Sequence, residues 1–298
     1  MSPGLTVAVI HPSSTPPLTS RQLLHEAKKM GCTTRYLCPQ EILALLSSEL
    51  GVVKGQKNIV VDIAFPRGVG ACSSIEQFMW RIDIVRHLEL AGTLTINSFN
   101  ALSLTRDKFL ALMHLAKSGI PVPETVVTEN LGHALRVIEE WGRVVVKPLI
   151  GSFGRGVMLL DNPDIAYSIF KQLLSWSQPL LLQKYYEKKN HRDLRVLVIN
   201  GEAYATYYRR AREGCFKTNV AQGGIVEEAR VSEDIIELAV KTAEKLGMFY
   251  AGVDLMEDVE GRYLVLEANA SPLWRGALQL GLNPARKLVE EALKAYKR

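Results

Sequence analysis

Hydrophobic positions along the chain follow two different periods. Leu23, Leu24, Ala27 and Met30 recur at the spacing of a helix face, whereas residues 5–10 form a short apolar, β-branched run typical of a strand. Further strands are predicted at residues 58–65, 94–96, 144–147, 157–160, 180–184, 194–199, 202–209, 252–256 and 262–268. Further helices are predicted at residues 105–118, 131–141, 165–174 and 232–246, and in a segment that ends near Tyr296. Because helix and strand signals alternate, the pattern predicts an α/β protein.

The second helix along the chain has a clear start signal. Ser73 with Glu76, and Ser74 with Gln77, both have the spacing of a capping box, in which two side chains bond each other's backbone N–H groups. With the strand that follows it, this helix completes a first domain, predicted at residues 1–97.

The composition is that of a folded protein. Apolar residues make up 47% of the 298, which excludes intrinsic disorder. Lys and Arg outnumber Asp and Glu by 36 to 31, and the resulting charge of +5 is too small to indicate a nucleic-acid partner. No apolar run reaches the ~18 residues of a membrane span. The N-terminus also lacks the basic start and apolar core of a signal peptide.

Cysteine usage points to a reducing compartment. Cys32, Cys38, Cys72 and Cys215 form no C-x-x-C pair and have no histidine at metal-ligand spacing nearby. We therefore expect reduced thiols in a cytoplasmic protein without a zinc site.

A glycine-rich loop is the first feature that indicates chemistry. Residues 151–156, Gly-Ser-Phe-Gly-Arg-Gly, join two predicted strands, and Lys147 stands at the end of the first. Glycines let backbone N–H groups approach phosphate oxygens, and a neighbouring ammonium group is well placed to bind them. An ordinary flexible turn, with Lys147 extending to solvent, explains the same residues.

Three oxygen donors lie on two later strands. Glu267 and Asn269 share one face of their strand, and Asp254 lies in the preceding strand. If the strands pair, these side chains converge into the kind of site that Mg²⁺ occupies together with phosphate oxygens and water. Polar residues on the solvent face of a sheet are the alternative.

A basic cluster follows the strand at residues 202–209. It comprises Arg209, Arg210, Arg212 and Lys217, with Asn219 close behind. The packed strand delivers Arg209 toward a transferring phosphoryl group, although a solvated basic loop would have the same composition.

Several stretches together resemble a known family. They are R-D-K-F at 106–109, V-K-P at 146–148, G-S-F-G-R-G at 151–156, L-Q-K-Y at 182–185, D-L-R at 193–195, R-R-A-R-E-G at 209–214, F-K-T-N at 216–219, G-V-D at 252–254 and E-A-N-A-S-P at 267–272. In order and spacing they resemble ATP-grasp ligases of the RimK family, and most of all the archaeal α-L-glutamate ligases acting on tetrahydromethanopterin or the deazaflavin coenzyme. The first domain resembles that group through P-R-G-V-G at 66–70, S-I-E-Q at 74–77 and R-I-D at 81–83.

The resemblance implies an ATP-grasp fold behind a Rossmann-like, pre-ATP-grasp domain. Residues 98–185 would form the central subdomain with the phosphate hairpin, and residues 186–298 the subdomain with the metal ligands. It implies that ATP is held by Lys108, Lys147, Gly151, Ser152, Gly154, Gly156, Gln183, Lys184, Tyr185 and Asp193. Asp254, Glu267 and Asn269 would hold Mg²⁺ or Mn²⁺, in two ions, while Arg209, Lys217 and Asn219 would face the reacting groups.

Three positions depart from the family pattern. Lys184 stands where many relatives have Glu beside the hinge tyrosine, Leu273 replaces a glycine, and Cys215 replaces an aspartate of some relatives. A leucine does not adopt a positive φ cheaply, so the loop at 271–275 is expected to differ.

The implied reaction joins L-glutamate to an acceptor carboxylate. ATP converts the carboxylate into an acyl-phosphate, because hydroxide is a poor leaving group, and an amine then attacks it. The acceptor is a coenzyme tail, a ribosomal protein C-terminus or an amino-group carrier protein, and its carboxylates are assigned to Arg67, Arg81 and Arg275, with surface ion pairs as the alternative. Family likeness also suggests a homodimer or tetramer. An ATP-binding regulatory protein and a nucleic-acid-binding protein are the other classes considered.

Overall fold

The structure, a computed structural model, describes residues 4–46, 50–54, 57–70, 74–151, 154–210 and 225–297. The strands are β1 (Thr6–Ile10), β2 (Thr33–Leu37), β3 (Ile42–Leu46), β4 (Leu50–Lys54), β5 (Lys57–Ile59), β6 (Ile63–Pro66), β7 (Leu94–Thr95), β8 (Thr125–Thr128), β9 (Val144–Lys147), β10 (Met158–Leu160), β11 (Leu180–Lys184), β12 (Arg192–Ile199), β13 (Glu202–Arg210), β14 (Ile225–Glu228), β15 (Tyr250–Glu257) and β16 (Tyr263–Asn269). The helices are α1 (Leu18–Lys29), α2 (Ile75–Leu90), α3 (Phe99–Arg106), α4 (Lys108–Lys117), α5 (Leu131–Trp141), α6 (Pro163–Ser175), α7 (Glu233–Lys245), α8 (Arg275–Gln279) and α9 (Pro284–Tyr296).

The N-terminal domain is built on a parallel sheet with the strand order β2-β1-β6-β7. Residues 7–10 of β1 are buried on both faces, which explains why this strand is a continuous apolar run. A second, antiparallel sheet of order β3-β4-β5 is inserted between β2 and β6. The hydrophobic pattern did not predict this insertion.

The strand predicted at residues 58–65 is wrong as a single element, since the chain divides it into β5 and β6. Asp62 stands at the interruption. Its carboxylate accepts hydrogen bonds from the backbone N–H of Thr6 at 2.6 Å and from the Tyr296 hydroxyl at 2.9 Å. The Asp62 side chain is therefore tied to β1 and α9 just where β6 begins.

Helix starts depend on side-chain caps. Ser74 and Gln77 form the predicted capping box at the start of α2, with the Gln77 N–H donating to the Ser74 hydroxyl at 3.1 Å. The helix predicted at residues 105–118 is wrong as a single element. Asp107 ends α3 and caps α4, because its carboxylate accepts from the N–H groups of Phe109 and Leu110 at 2.8 and 3.1 Å. Ser73 lies outside the described residues.

The part of the chain after the N-terminal domain, which we call the body, contains two antiparallel sheets. The smaller, β10-β9-β11-β8, packs its buried face against α5 and α6. The larger, β14-β13-β12-β15-β16, is covered on both faces. Leu194, Val196 and Val198 of β12 face α3, α4 and α7, while the alternate residues Leu197 and Ile199 face the N-terminal domain and α9.

Each of the three predicted segments thus carries its own main sheet, although α3 and α4 pack on the sheet of the third. The first and third segments are joined through Asn97, which is buried and donates at 2.6 Å to the carbonyls of both Tyr250 and Ala270. Within the described residues, Cys32 and Cys38 are free thiols and no helix is long and apolar enough to cross a membrane. Cys72 and Cys215 lie outside these residues.

Candidate active site

A cleft lies between the two antiparallel sheets of the body. Its walls bring together many of the predicted site residues. These are Lys108, Lys147, Gly151, Gly154, Gln183, Lys184, Tyr185, Asp193, Arg209, Asp254 and Glu267. Ser152, Lys217 and Asn219 lie outside the described residues, so the catalytic and phosphate roles predicted for them stay predictions.

The described part of the glycine loop needs its glycines. Gly154 and Gly156 have φ of 67° and 72°, in the left-handed region that side chains disfavour. A Cβ at Gly151 would lie 2.8 Å from the Pro148 ring. The Gly151 carbonyl accepts a hydrogen bond from the Lys108 ammonium group at 2.8 Å, which ties the loop to the start of α4.

Two lysines bring positive charge into this cleft. The Lys147 ammonium group at the end of β9 donates to the Gln183 side-chain oxygen on β11. Burial lowers the pKa of Lys147 to about 8, although Glu267 opposes the shift. Burial also lowers the pKa of Lys108, again against Glu267. Desolvated ammonium groups without a close counter-ion favour an anionic ligand.

The strand end at Lys184 and Tyr185, where ATP binding is predicted, is stabilised by neighbouring side chains. Lys184 forms an ion pair with Glu124 at 2.8 Å, and the Tyr186 hydroxyl donates to the same carboxylate at 3.0 Å. The Arg143 guanidinium lies 4.4 Å from the centre of the Tyr185 ring. The departure at Lys184 is therefore accompanied by an acidic partner from the segment before β8, which the sequence analysis missed.

A buried ion network connects three neighbouring strands. Arg195 of β12 lies opposite Asp254 of β15 and holds its carboxylate with both Nε and Nη2, the latter at 2.7 Å. Arg209 of β13 contacts the same carboxylate at 3.0 Å and Asp193 at 3.4 Å. Burial alone would raise the pKa of Asp254, but the two guanidinium groups outweigh it and lower the pKa to about 2.

No role was predicted for Arg195 from the sequence. Its position two residues after Asp193 places both side chains on one strand face, which was a usable signal. The pairing with Asp254 depends on strand register, which the sequence did not reveal. Two atoms of the network, Asp193 Oδ1 and Arg209 Nε, are buried with no hydrogen-bond partner among the described residues. Both residues line the cleft.

Two of the predicted metal ligands, Asp254 and Glu267, line the cleft, and Asn269 lies beside Glu267 on β16. Glu267 pairs with Asp254 across β15 and β16, next to a β-bulge, and the Asn269 amide donates to the Glu267 carboxylate at 3.0 Å. All three offer hard oxygen atoms, so the donor chemistry fits Mg²⁺. Among the described residues no group of three His, Cys, Asp or Glu side chains could hold a metal ion. A metal here would therefore need Asn269 and oxygens of the nucleotide.

A second cavity, which we call the chamber, adjoins the cleft. It lies between the loop at residues 68–70, the helices α2, α3 and α4, and the end of β16. Lys108, Gly151, Leu266 and Glu267 line both spaces and form their common wall. Asn269 lines the chamber and not the cleft.

The three arginines predicted to bind the acceptor line neither space. Arg67 is buried, donates to the Pro272 carbonyl at 2.7 Å and lies 4.7 Å from the Trp274 ring centre. Arg81 is buried and donates to the Val69 carbonyl at 3.3 Å. Arg275 is exposed at the start of α8. Their roles toward an acceptor stay predictions.

The fold and the cleft define the class of protein. Residues 105–292 match the RimK-like ATP-grasp domain, which is more than half of the chain, and the protein belongs to this family. The predicted family and the ATP-grasp fold are confirmed.

Named relatives extend the match to the N-terminal domain. The chain is 30% identical over 283 residues to the tetrahydromethanopterin:alpha-L-glutamate ligase of Methanocaldococcus jannaschii, covering 92% of this chain and 94% of that protein. It is 35% identical over 210 residues to a probable alpha-L-glutamate ligase of Legionella pneumophila, covering 70% and 69%.

Solved structures share the fold across the whole chain. The ATP-grasp ligase PsnB, in complex with a phosphomimetic variant of its minimal precursor, Mg and ADP, superposes with a TM-score of 0.79 at 21% identity and covers 99% of both chains. The D-alanyl-alanine synthetase A of Vibrio cholerae superposes with a TM-score of 0.71 at 16% identity and covers 100% of both.

Proposed function

We propose that this protein is an ATP-dependent carboxylate–amine ligase. It would add L-glutamate to an acceptor carboxylate through an acyl-phosphate and release ADP and phosphate. One observation carries the proposal. The cleft of a RimK-family chain gathers two desolvated lysines, glycines of a hairpin and a buried arginine–carboxylate network beside Glu267.

The acceptor we favour is a coenzyme tail of the tetrahydromethanopterin or deazaflavin type. Support comes from the M. jannaschii relative, which is named for tetrahydromethanopterin and matches 92% of this chain. A ribosomal protein C-terminus and an amino-group carrier protein are the other acceptors to test. We also propose a homo-oligomer, on family likeness alone.

The cleft lysines and the glycine hairpin would bind the phosphates of the nucleotide. Lys147 and Lys108 would neutralise phosphate oxygens, and phosphate would restore the charged state that burial disfavours in both. The hairpin, tied to Lys108 through Gly151, would cover the phosphates and keep water from a reactive acyl-phosphate.

Arg209 would stabilise the charge that develops during transfer. Asp193 and Asp254 hold its guanidinium from two sides, so it is oriented before any ligand binds. Glu267, Asn269 and Asp254 would hold Mg²⁺, and the ion would supply positive charge that neutralises the phosphates. Lys217 and Asn219 complete the proposed catalytic set.

The test is a turnover screen with purified protein, ATP, Mg²⁺ and L-glutamate against the three acceptor classes. We expect ADP release that requires both L-glutamate and one acceptor, and a product heavier by one glutamyl residue. Nucleotide binding without turnover on any acid–amine pair would contradict the ligase proposal and favour an ATP-binding regulatory protein.

Neighbouring arginines supply a matched control. Arg209 is buried in the network, whereas Arg210 is exposed and pairs with Glu227. Arg209→Met should lower turnover about 100-fold, since it removes preorganised positive charge. Arg210→Met should leave turnover within about twofold of wild type, since exposed pairs contribute little.

A further inference from the structure

Arg106 is a partly buried cation that has no counter-ion among the described residues. Its Nη2 donates to the Gly70 carbonyl, and its guanidinium lies 5.5 Å from the centre of the Phe78 ring. Its Nε is buried without a hydrogen-bond partner, and in the part of the chain that the structure describes no carboxylate pairs with it. Desolvation lowers the pKa of Arg106. A guanidinium kept in this state favours an anionic ligand.

The chamber gives that ligand a place. Arg106 lines it together with largely apolar side chains, among them Phe78, Leu102 and Leu112. Glu267 is the one acidic side chain among the described lining residues, and it belongs to the proposed metal site. A zwitterionic amino acid would find no other carboxylate there for its ammonium group. An apolar segment that carries carboxylates suits these walls better.

The wall that the chamber shares with the cleft indicates which substrate the chamber binds. Lys108, Gly151 and Glu267 border both the nucleotide cleft and the chamber. In an acyl-phosphate reaction the acceptor carboxylate must meet the phosphoryl group directly, whereas the amine attacks later at the acyl carbon. The space that opens on the phosphate wall is therefore the space for the acceptor.

We infer that the chamber binds the acceptor through two carboxylates, one at the common wall and one on Arg106. This inference rests on the proposed ligase function and names Arg106 as a further binding residue of the same site. Arg106 would be a specificity-determining binding residue that takes no part in phosphoryl transfer.

Gly70 supports the assignment. A Cβ at this position would lie 2.4 Å from Arg106 Cζ and 2.6 Å from its Nε. The absence of a side chain at Gly70 thus lets the guanidinium lie against the loop and toward the chamber. Gly70→Ala should displace the Arg106 side chain without removing its charge.

The test measures binding, so it does not depend on turnover. Isothermal titration of the full chain, preloaded with ADP and Mg²⁺, compares glutarate with the monocarboxylate butyrate. We expect wild type to bind glutarate at least about tenfold more tightly than butyrate, because a charge-assisted contact is lost with the monocarboxylate. Arg106→Met should abolish this preference, and Arg106→Lys should restore part of it.

Two controls keep the result specific. Arg136 on α5 is exposed, and Arg136→Met should leave the glutarate preference unchanged. Gly70→Ala as a single variant should weaken glutarate binding. Added to Arg106→Met, it should have little further effect on glutarate binding. An unchanged ADP affinity in each variant would show that the fold and the cleft are intact.

The contrary results are distinct. Equal binding of glutarate and butyrate by wild type, or a preference that survives Arg106→Met, would overturn the inference while leaving the ligase proposal standing. Competition between glutarate and L-glutamate for one site would assign the chamber to the amine substrate and overturn it as well. Absence of turnover in the screen would contradict the ligase function without changing the binding result.

Discussion

Asp254, a proposed magnesium ligand, lies directly across the sheet from Arg195 and forms a two-point ion pair with its guanidinium. Both side chains are buried, and Arg209 approaches the same carboxylate from the next strand but one. The two guanidinium groups thus hold the carboxylate in its charged form before any ligand is present. The orientation of Asp254 in the proposed magnesium site depends on this pair.

The first prediction concerns the stability of the buried pair. Arg195→Met leaves Asp254 with one fewer partner in a desolvated site, and we expect the free energy of unfolding to fall by about 3 kcal/mol. Urea unfolding of the ligand-free protein measures it. Arg210→Met, at an exposed pair in the adjacent strand, should change the same quantity by less than about 1 kcal/mol. Equal effects of the two variants would show that the Arg195–Asp254 pair contributes no more to the free energy of unfolding than a surface pair.

The second prediction concerns protons taken up with the nucleotide. The pKa of Lys147 is about 8 in the free protein, and bound phosphates should raise it. Binding of the nucleotide then favours the charged form of Lys147. Well below pH 8 Lys147 is already charged, so it causes no pH dependence of the ADP affinity there. Above pH 8, ADP affinity should fall by up to about tenfold per pH unit until the raised pKa is reached.

Titration calorimetry in buffers of different ionisation enthalpy measures this proton uptake directly. Lys147→Arg retains the charge but does not titrate in this range, so its ADP affinity should be flat between pH 7 and pH 9, at values that bracket the Lys147 pKa of about 8. A slope as steep in Lys147→Arg as in wild type would assign the proton to another group, such as Lys108.

The third prediction separates two arginines with different surroundings. Arg67 is buried against Trp274 and donates to the Pro272 carbonyl, which joins the N-terminal domain to the loop before α8. Arg67→Met should lower the free energy of unfolding by about 2 kcal/mol, because the carbonyl loses a charged donor. Arg275 is exposed, and Arg275→Ala should change the free energy of unfolding by less than about 0.5 kcal/mol.

The same two variants test the predicted acceptor roles. If Arg275 binds the acceptor, Arg275→Ala should raise the acceptor KM and leave the KM for ATP and the unfolding curve unchanged. If Arg67 acts chiefly as a link between domains, its variant should lose stability whether or not acceptor is present. An unchanged acceptor KM in Arg275→Ala would reject its assignment.

Local patterns were sufficient for much of the fold. The run at Val144–Lys147 and the capping box at Ser74 are short-range signals, and the structure contains both as predicted. The prediction at residues 105–118 failed because Asp107 reads equally well as an exposed helical residue and as a cap. The inserted sheet at β3–β5 was missed, since short apolar runs do not distinguish strand from helix. The strand β2, Thr-Thr-Arg-Tyr-Leu, was missed because it carries little apolar pattern at all.

The residues of the candidate site could be predicted from the sequence only in part. Lys147, Asp254 and Glu267 were identifiable because charged residues within apolar strands are unusual and invite explanation. Arg195 and Glu124 were missed because their importance comes from partners about sixty positions away along the chain, Asp254 and Lys184. Arg106 stands in a recognised stretch, yet its packing against Gly70 and Phe78, with no counter-ion in the described part of the chain, is visible only in the structure.

The central claim, an acyl-phosphate formed from the acceptor and ATP, has one direct measurement. An acceptor whose carboxylate carries heavy oxygen is converted with ATP and L-glutamate, and the released phosphate is analysed by mass spectrometry. Transfer of the carboxylate oxygen to phosphoryl predicts one heavy oxygen atom in each phosphate released during amide formation. Phosphate without the label, formed together with the glutamylated product, would contradict the account.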